Sequence, residues 1–341
     1  MEYLTAANFL RLNREIPIVD VRSPSEYAAG HIPDAINIPL FADDERAIVG
    51  TIYKQQGQQP AIEKGMEFVQ PKMRALAEAA MAASVNGKLG VYCWRGGMRS
   101  NRMAWWFEEN GLNCTVLENG YKSFRSEALN AFGKLENLLV IDGPTGSGKT
   151  ELLHELRKNG EQILDLEALA NHKGSAFGSI GMAKQPSSEQ FQNDLHEELQ
   201  KLNLEKRIWV EREGMTIGKV YLPQSLWVNM NRSRVVIIDV PLELRVDRLM
   251  QHYGNAPIPD LEKSIRKLQQ KLGGQHMNAA LDLLQKGDLR TIAHLLLAYY
   301  DKRYRYSQEK YLATNPTTIH LSDPESAVVR LLEWANTFHH V

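Results

Sequence analysis

Twice along this chain a short apolar strand runs into a glycine-rich loop and then into a helix, and each loop is built to hold an anion. Lys88-Leu89-Gly90-Val91-Tyr92 delivers Cys93-Trp94-Arg95-Gly96-Gly97-Met98-Arg99-Ser100. Leu138-Leu139-Val140-Ile141 delivers Gly143-Pro144-Thr145-Gly146-Ser147-Gly148-Lys149-Thr150, with Gly143 lying 50 positions beyond Cys93. Strands that alternate with helices pack as parallel sheets, so the expected class is α/β. The length of 341 residues suits two domains, expected at 1–130 and 131–341.

The second loop matches the phosphate-binding P-loop at every fixed position and stands between an apolar strand and a helix, as that motif requires. Backbone N–H groups of Gly143, Thr145, Gly146, Ser147 and Gly148 are expected to wrap a di- or triphosphate. Lys149 would neutralise its oxygens, and Thr150 would ligate Mg²⁺ where one is used. Asp165, Glu211 and Asp239 each follow an apolar strand and compete for the acidic role beside such a loop. Glu211 is favoured, because Arg212 and Glu213 make it part of a charged cluster directly after Ile208-Trp209-Val210. Asp165–Gly178 is an unusual stretch in which His172, Lys173 and Ser175 sit among glycines and could grip a second anion or a base; a plain helix and loop is the alternative.

The first loop has a different use. A cysteine at the C-terminal end of a parallel strand faces the unpaired N–H groups of the following helix, which favour thiolate. Arg95 and Arg99 add positive charge, and Gly96 and Gly97 let the backbone fold around an anion. Cys93, Arg95 and Arg99 are therefore the catalytic candidates. Such a cup can hold an oxyanion under attack by sulfur, or stabilise a persulfide or perselenide. Cys114, mid-strand without a basic neighbour, reads as core packing. The C-x5-R spacing from Cys93 to Arg99 also suits phosphate-like anions, although the loop offers no evident general acid.

The remaining composition excludes more than it selects. The formal charge of −1 gives no global field for nucleic acid, and two cysteines supply neither a disulfide framework nor a metal-binding pair. No dedicated metal site and no tightly bound cofactor are expected from the pattern, with Mg²⁺ at Thr150 left open. A reduced thiol, the lack of a signal-like N-terminus and the lack of a long apolar run lead to the expectation of a cytoplasmic chain without a membrane span. Over residues 242–312 there are 12 Lys/Arg against 8 Asp/Glu, and Tyr299-Tyr300-Asp301-Lys302-Arg303-Tyr304-Arg305-Tyr306 interleaves aromatics with cations. That pattern serves contact with unpaired bases, and equally the packing of a helical bundle. Expected elements include a short strand over 35–39, one helix over 66–83, a connector over 121–136, a mainly helical run over 242–310 and a final strand and helix after 317.

Two resemblances sharpen these expectations. Ile18-Val19-Asp20-Val21-Arg22-Ser23-Pro24-Ser25-Glu26-Tyr27-Ala28-Ala29-Gly30-His31-Ile32-Pro33 resembles the stretch that precedes the persulfide-forming cysteine of rhodanese domains, with Asp34 where glycine is common. The resemblance implies a rhodanese-like parallel-sheet domain in which Asp20, Arg22, Glu26 and His31 wall the cysteine loop. A rhodanese-like domain joined to a P-loop NTPase-like domain with a helical, RNA-contacting extension resembles the tRNA 2-selenouridine synthase family. That resemblance implies tRNA bearing 2-thiouridine at the wobble position as partner and substrate. It further implies geranyl diphosphate as donor of an S-geranyl intermediate, and selenophosphate as the selenium source. Cys93 would then attack selenophosphate at selenium to form a perselenide, while the P-loop holds the diphosphate. A sulfurtransferase fused to a small-molecule kinase, and a cysteine-dependent phosphatase with a nucleotide-binding domain, are the competing expectations.

Overall fold

The computed structural model describes residues 1–12, 15–311, 316–321 and 324–338. The chain divides into two compact units. The first holds Met1–Ala131 together with Gln192–Glu197, a distant stretch of sequence, and the second holds Phe132–Phe191 with Glu198–Val341.

The first unit is a five-stranded sheet in the order β1-β5-β4-β2-β3. Its strands are β1 (Glu2–Leu4), β2 (Ile18–Asp20), β3 (Ile36–Asn37), β4 (Lys88–Tyr92) and β5 (Asn113–Leu117), all paired in parallel. The helices are α1 (Ala6–Leu12), α2 (Pro24–Ala29), α3 (Asp43–Gln56), α4 (Gln58–Val69), α5 (Met73–Ala83), α6 (Met98–Glu109) and α7 (Gly120–Ala131). Successive strand residues point to opposite faces, so both faces must be covered. Val19, Val91, Cys114 and Val116 pack with Leu76, Met103 and Phe107 on one side. Ile18, Tyr92 and Leu117 pack with Phe9, Tyr121 and Phe124 on the other.

Three expectations change here. The helix expected over 66–83 is two helices, α4 and α5, parted by a 3-10 turn at Gln70–Lys72. Pro71 supplies the break, since its ring blocks continuation and it has no N–H to donate. The connector expected over 121–136 is in large part α7, because Tyr121, Phe124 and Ala128 fall on one buried face. The strand expected at 35–39 shrinks to Ile36–Asn37, and the Asn37 side chain instead donates to the carbonyls of Asp20 and Arg22, both at 2.9 Å.

The second unit carries the parallel sheet β12-β11-β6-β8-β7. Its strands are β6 (Leu138–Asp142), β7 (Gln162–Leu164), β8 (Ile208–Glu211), β11 (Arg234–Asp239) and β12 (Thr317–His320), and β9 (Thr216–Ile217) pairs with β10 (Val220–Tyr221) as a small antiparallel ribbon. α8 (Lys149–Lys158), α9 (Leu166–Leu169), α10 (Ser188–Gln200) and α11 (Gln224–Arg232) fill the connections. From β6 the chain goes first to β7 at the sheet edge, returns to β8 beside β6, and later reaches β11 and β12 on the other side. The loop after β6 thus leaves the sheet where winding reverses, the place where open α/β sheets bind ligands. α12 (Leu242–Tyr253), α13 (Ile258–Lys267), α14 (Gln269–Leu272), α15 (Gly274–Gln285) and α16 (Leu289–Tyr311) form a helical cluster around Leu261, Ile265, Ala280 and Leu296, and α17 (Pro324–Asn336) closes the described chain against the sheet. Among the described residues no helix is long and apolar enough to cross a membrane.

Candidate functional site

Central strand β4 ends at Tyr92 and hands Cys93 to the loop, whose backbone is clamped from below. Cys93 O accepts from Tyr121 N at 2.8 Å, and Trp94 O accepts from Lys122 N at 3.0 Å. The two chain segments approach so closely that both glycines at the contact are left-handed. Gly96 has φ 60° and Gly120 has φ 58°, and a Cβ on either would strike the other's backbone nitrogen. Only glycine permits this crossing. The loop then enters α6 at Met98, leaving the helix N-terminus beside the sulfur.

Cys93 is 3% exposed, yet it lines a cleft of about 1150 Å³ together with Arg95 and Arg99. Its Sγ lies 3.2 Å from Ser100 Oγ, which also lies 3.2 Å from Gly97 O. Arg99 is anchored rather than free. Its two terminal nitrogens reach Glu26 at 2.7 and 3.3 Å. Burial disfavours charge on Glu26, but the Arg99 guanidinium outweighs that and holds the carboxyl below its ordinary value. Arg95 is exposed at the loop's edge. Beneath the loop, Arg22 and Asp20 are almost wholly buried and pair at 2.6 Å, with Arg22 lying 3.9 Å from the Tyr121 ring centroid. His31 stacks on Tyr27 at 3.8 Å. Glu26 meets the loop through Arg99 and Arg22 meets it through the Trp94 ring, 5.9 Å away, whereas His31 is placed against Tyr27. Cys114 is fully buried in the core, and burial, with Glu108 nearby, pushes its thiol up to about 12.

The P-loop of the second unit is held from several directions. Gly146 and Gly148 are left-handed, with φ 78° and 83°. Lys149 Nζ donates to Gly143 O at 3.0 Å, which lays its stem across the loop. The hydroxyl of Ser147 is buried without a hydrogen-bond partner. Two arginines that the sequence did not mark come from α12. Arg245 donates to Thr145 O at 3.2 Å and Arg248 to Gly146 O at 2.7 Å. Arg245 is in turn buried in a two-point pair with Asp301 of α16, at 2.8 and 2.7 Å. Nothing local in the sequence announces these arginines, which lie 100 and 102 positions beyond the carbonyls they reach.

Of the three acidic candidates, only Glu211 meets the loop. Thr150 Oγ1 donates to Glu211 Oε2 at 2.9 Å and lies 3.1 Å from Glu167 Oε2. Asp165 caps α9 by accepting from Ala168 N and bonds His154 at 2.6 Å, whereas Asp239 is bonded to His320 at 2.7 Å. Glu167 and Glu213 join Glu211, with one carboxylate oxygen of each within 4.8 Å of the others. Burial, and then the charges of its neighbours, raises each of the three well above the ordinary carboxylate range. The second oxygen of Glu211 is buried without a partner. A set of hard, crowded oxygens with one left unsatisfied fits a hard divalent cation. Glu213 was within reach of sequence reasoning as the neighbour of Glu211, and Glu167 as part of the Asp165–Gly178 stretch. In that stretch Lys173 N donates to Gly178 O at 3.0 Å, and His172 is buried against the glycines, its basicity lowered by burial and by Lys267.

The basic aromatic stripe divides. Tyr299 and Tyr300 pack into the helical cluster, whereas Tyr306 is 62% exposed.

Residues 5–127 match the rhodanese-like domain profile, and residues 136–335 match the profile described as the tRNA 2-selenouridine synthase AAA domain. Three similar curated proteins carry the name tRNA 2-selenouridine synthase. One from Nitrosomonas europaea is 40% identical over 247 residues, 70% of this chain and 64% of that protein. One from Nitrosomonas eutropha is 39% identical over 75% of this chain and 68% of that protein. One from Salmonella schwarzengrund is 36% identical over 338 residues, 88% of this chain and 91% of that protein. A thiol cup on one parallel sheet and a phosphate loop on another, matched along almost the whole length of a relative, leave one assignment: the chain belongs to the tRNA 2-selenouridine synthase family.

Proposed function

We propose that this protein is a transferase that modifies tRNA, replacing the sulfur of wobble 2-thiouridine with selenium through an S-geranyl intermediate. The observation that carries the proposal is the presence, on one family member, of a thiol in an anion cup and an intact phosphate loop with its own carboxylate cluster.

The P-loop binds the diphosphate of geranyl diphosphate. The C–O bond breaks, the C–S bond to the thiouridine forms, and pyrophosphate leaves against Lys149 and the loop amides. Glu167, Glu211 and Glu213 are the residues that would hold Mg²⁺ beside Thr150. Such a cation would supply charge neutralisation for the diphosphate.

The second half must balance electrons. Selenium in selenophosphate is already at the selenide level. An attack by sulfur at selenium would therefore need an oxidant to give perselenide and phosphate, and that expectation is set aside. Attack of Cys93 Sγ at phosphorus balances: an S–P bond forms, the Se–P bond breaks, and selenide departs with the bonding pair. Selenium takes the proton that selenophosphate carries at neutral pH and departs as hydroselenide, a weak base, so a loop without a general acid suffices. Selenide adds to C2 of the uridine, geranylthiolate leaves, and water cleaves the S–P bond to give phosphate. The loop amides and Arg95 steady the phosphoryl oxygens, and Arg99, braced by Glu26, fixes the rim of the cup.

The test is mass analysis of wobble nucleosides after incubation with thiolated tRNA, geranyl diphosphate and selenophosphate. Cys93→Ala stops at the S-geranyl nucleoside, and Lys149→Ala slows geranyl transfer about 100-fold or more. Loss of both steps in a folded Cys93→Ala protein, or unchanged geranyl transfer in Lys149→Ala, overturns the division of labour.

A further inference from the structure

The cleft that holds Cys93 is unexpectedly apolar for a site whose small reactants are ions. It lies within the first unit, with α3, α4 and α5 on one side and the cysteine loop and α6 on the other. Phe41, Ile62, Val69 and Trp106 contribute to its lining. Part of the lining is large, apolar and solvent-facing: Trp94, Met98, Trp105 and Met66 are 36%, 41%, 46% and 50% exposed. Single exposed apolar residues are ordinary, but two tryptophans and two methionines gathered around one opening mark a binding surface. Methionine adapts to irregular hydrocarbon shapes, and tryptophan gives broad contact at small entropic cost. The volume of about 1150 Å³ is at or above the roughly 300–1,000 Å³ of pockets that enclose small organic ligands. Arg95, Arg99 and Arg102 lie at the same opening, so the site offers positive charge beside the sulfur and hydrocarbon beyond it.

We infer that this cleft binds the isoprenoid chain of the S-geranyl thiouridine, with the chain laid against Met66, Met98 and Trp105 and the uridine C2 held toward Cys93. The inference rests on the function proposed above and deepens it. Phosphate, selenide and a uridine ring give no reason for an apolar lining beside the thiol, whereas a ten-carbon leaving group does. Burial of the chain positions C2 at the point where selenide is released, so that binding energy far from the reacting atoms serves the displacement. Arg95 and Arg102, both exposed, meet the phosphoryl group and the RNA backbone, an arrangement that matches charge to charge and hydrocarbon to hydrocarbon.

The test is equilibrium binding of the full-length protein to synthetic anticodon stem-loops bearing S-geranyl-2-thiouridine or S-methyl-2-thiouridine, with geranyl diphosphate as a third probe. The wild type is expected to prefer the geranyl RNA over the methyl RNA by about tenfold or more. Met66→Asp and Trp105→Glu place charge at exposed positions that the fold tolerates, and each is expected to bring the two RNAs to within about twofold of each other. Geranyl diphosphate affinity is expected to stay unchanged in both variants. Equal binding of the two RNAs by the wild type, or an undiminished geranyl preference in both variants, overturns the inference. Loss of geranyl diphosphate affinity without loss of RNA preference assigns the cleft to the donor and also overturns it. Because the RNAs are synthetic, this result is independent of whether the protein itself makes the geranyl group. Absence of geranylated nucleoside from wild-type reactions with geranyl diphosphate would refute the proposed function separately.

Discussion

At the scale of single residues, the thiol and the phosphate loop were legible because each is a local string whose chemistry follows from spacing. Cys93, Lys149, Thr150 and Glu211 stand where a reading of strand ends puts them. What was not legible is the company they keep. Arg99 looks in sequence like a free anion clamp, but Glu26 engages it at 2.7 Å from 73 positions away. Glu167 and Glu213 become part of the site only because β7, β8 and the P-loop converge. The role given to Cys93 has a consequence that distinguishes release of selenide from delivery of selenium. If Cys93 serves only to break the Se–P bond, hydroselenide supplied directly bypasses it. Cys93→Ala incubated with S-geranyl tRNA under reducing, anaerobic conditions is expected to form no 2-selenouridine from selenophosphate. It is expected to regain at least about a tenth of wild-type conversion with millimolar hydroselenide. Nucleoside mass analysis reads both arms. Failure of hydroselenide to rescue the variant, with the same salt active on wild type, would refute a role for Cys93 confined to breaking the Se–P bond.

At the scale of elements, strands were easier to read than helices. β2, β6, β8 and β11 are short apolar runs with β-branched residues that end at a carboxylate, and β4 is a short apolar run that hands over to Cys93; a buried parallel strand has little other way to appear. α3 was missed because its fourteen residues bury none of their side chains fully, which leaves a weak apolar stripe to detect. The stretch 121–136 looked like a connector, yet Tyr121, Phe124 and Ala128 repeat at helical spacing and fill the second face of the sheet. The link between α12 and α16 was invisible for a different reason: it is an ion pair between Arg245 and Asp301, 56 positions apart. That pair also braces the P-loop through Thr145 O. Arg245 is only 5% exposed, so removing its partner strands a buried charge. Asp301→Asn is expected to lower unfolding free energy by roughly 3 kcal/mol, measured by chemical denaturation. Replacing both partners together, as Arg245→Met with Asp301→Leu, is expected to cost less than Asp301→Asn alone, because no unpaired charge remains. A denaturation midpoint unmoved by Asp301→Asn would show that solvent answers the Arg245 charge.

At the scale of the whole molecule, two buried titrating centres of opposite character compete to set how stability varies with pH. His196 is 1% exposed, and burial, aided by the positive charge of Arg125, depresses its basicity to about 4. The folded protein thus keeps this imidazole neutral where the unfolded chain binds a proton. Its contribution to stability is present above the ordinary histidine value of about 6.5 and is lost progressively as pH falls toward 4, by up to roughly 3 kcal/mol. The carboxylate cluster acts in the reverse sense. Burial and mutual repulsion raise Glu167 to about 7 and Glu211 and Glu213 to about 8, against the opposing pull of Lys149. Their contribution is whole below the ordinary carboxylate value of 4.5 and is lost as pH rises from there through 7 to 8, because the unfolded chain gives up these protons well before the folded one. Three raised carboxyls outweigh one depressed imidazole, so stability without divalent cation is expected to fall from about pH 5 to 8, with the histidine blunting the fall below about pH 6.5. A bound cation replaces the lost protons, so millimolar Mg²⁺ should raise the thermal midpoint at pH 8.5 and leave it unchanged at pH 5. Thermal unfolding of the full chain from pH 4.5 to 9, with Mg²⁺ or with chelator, checks both the fall and its reversal by the cation. A midpoint that climbs through pH 8 in chelator, or an equal Mg²⁺ effect at both ends, would contradict the cluster's assignment as a proton-or-cation site.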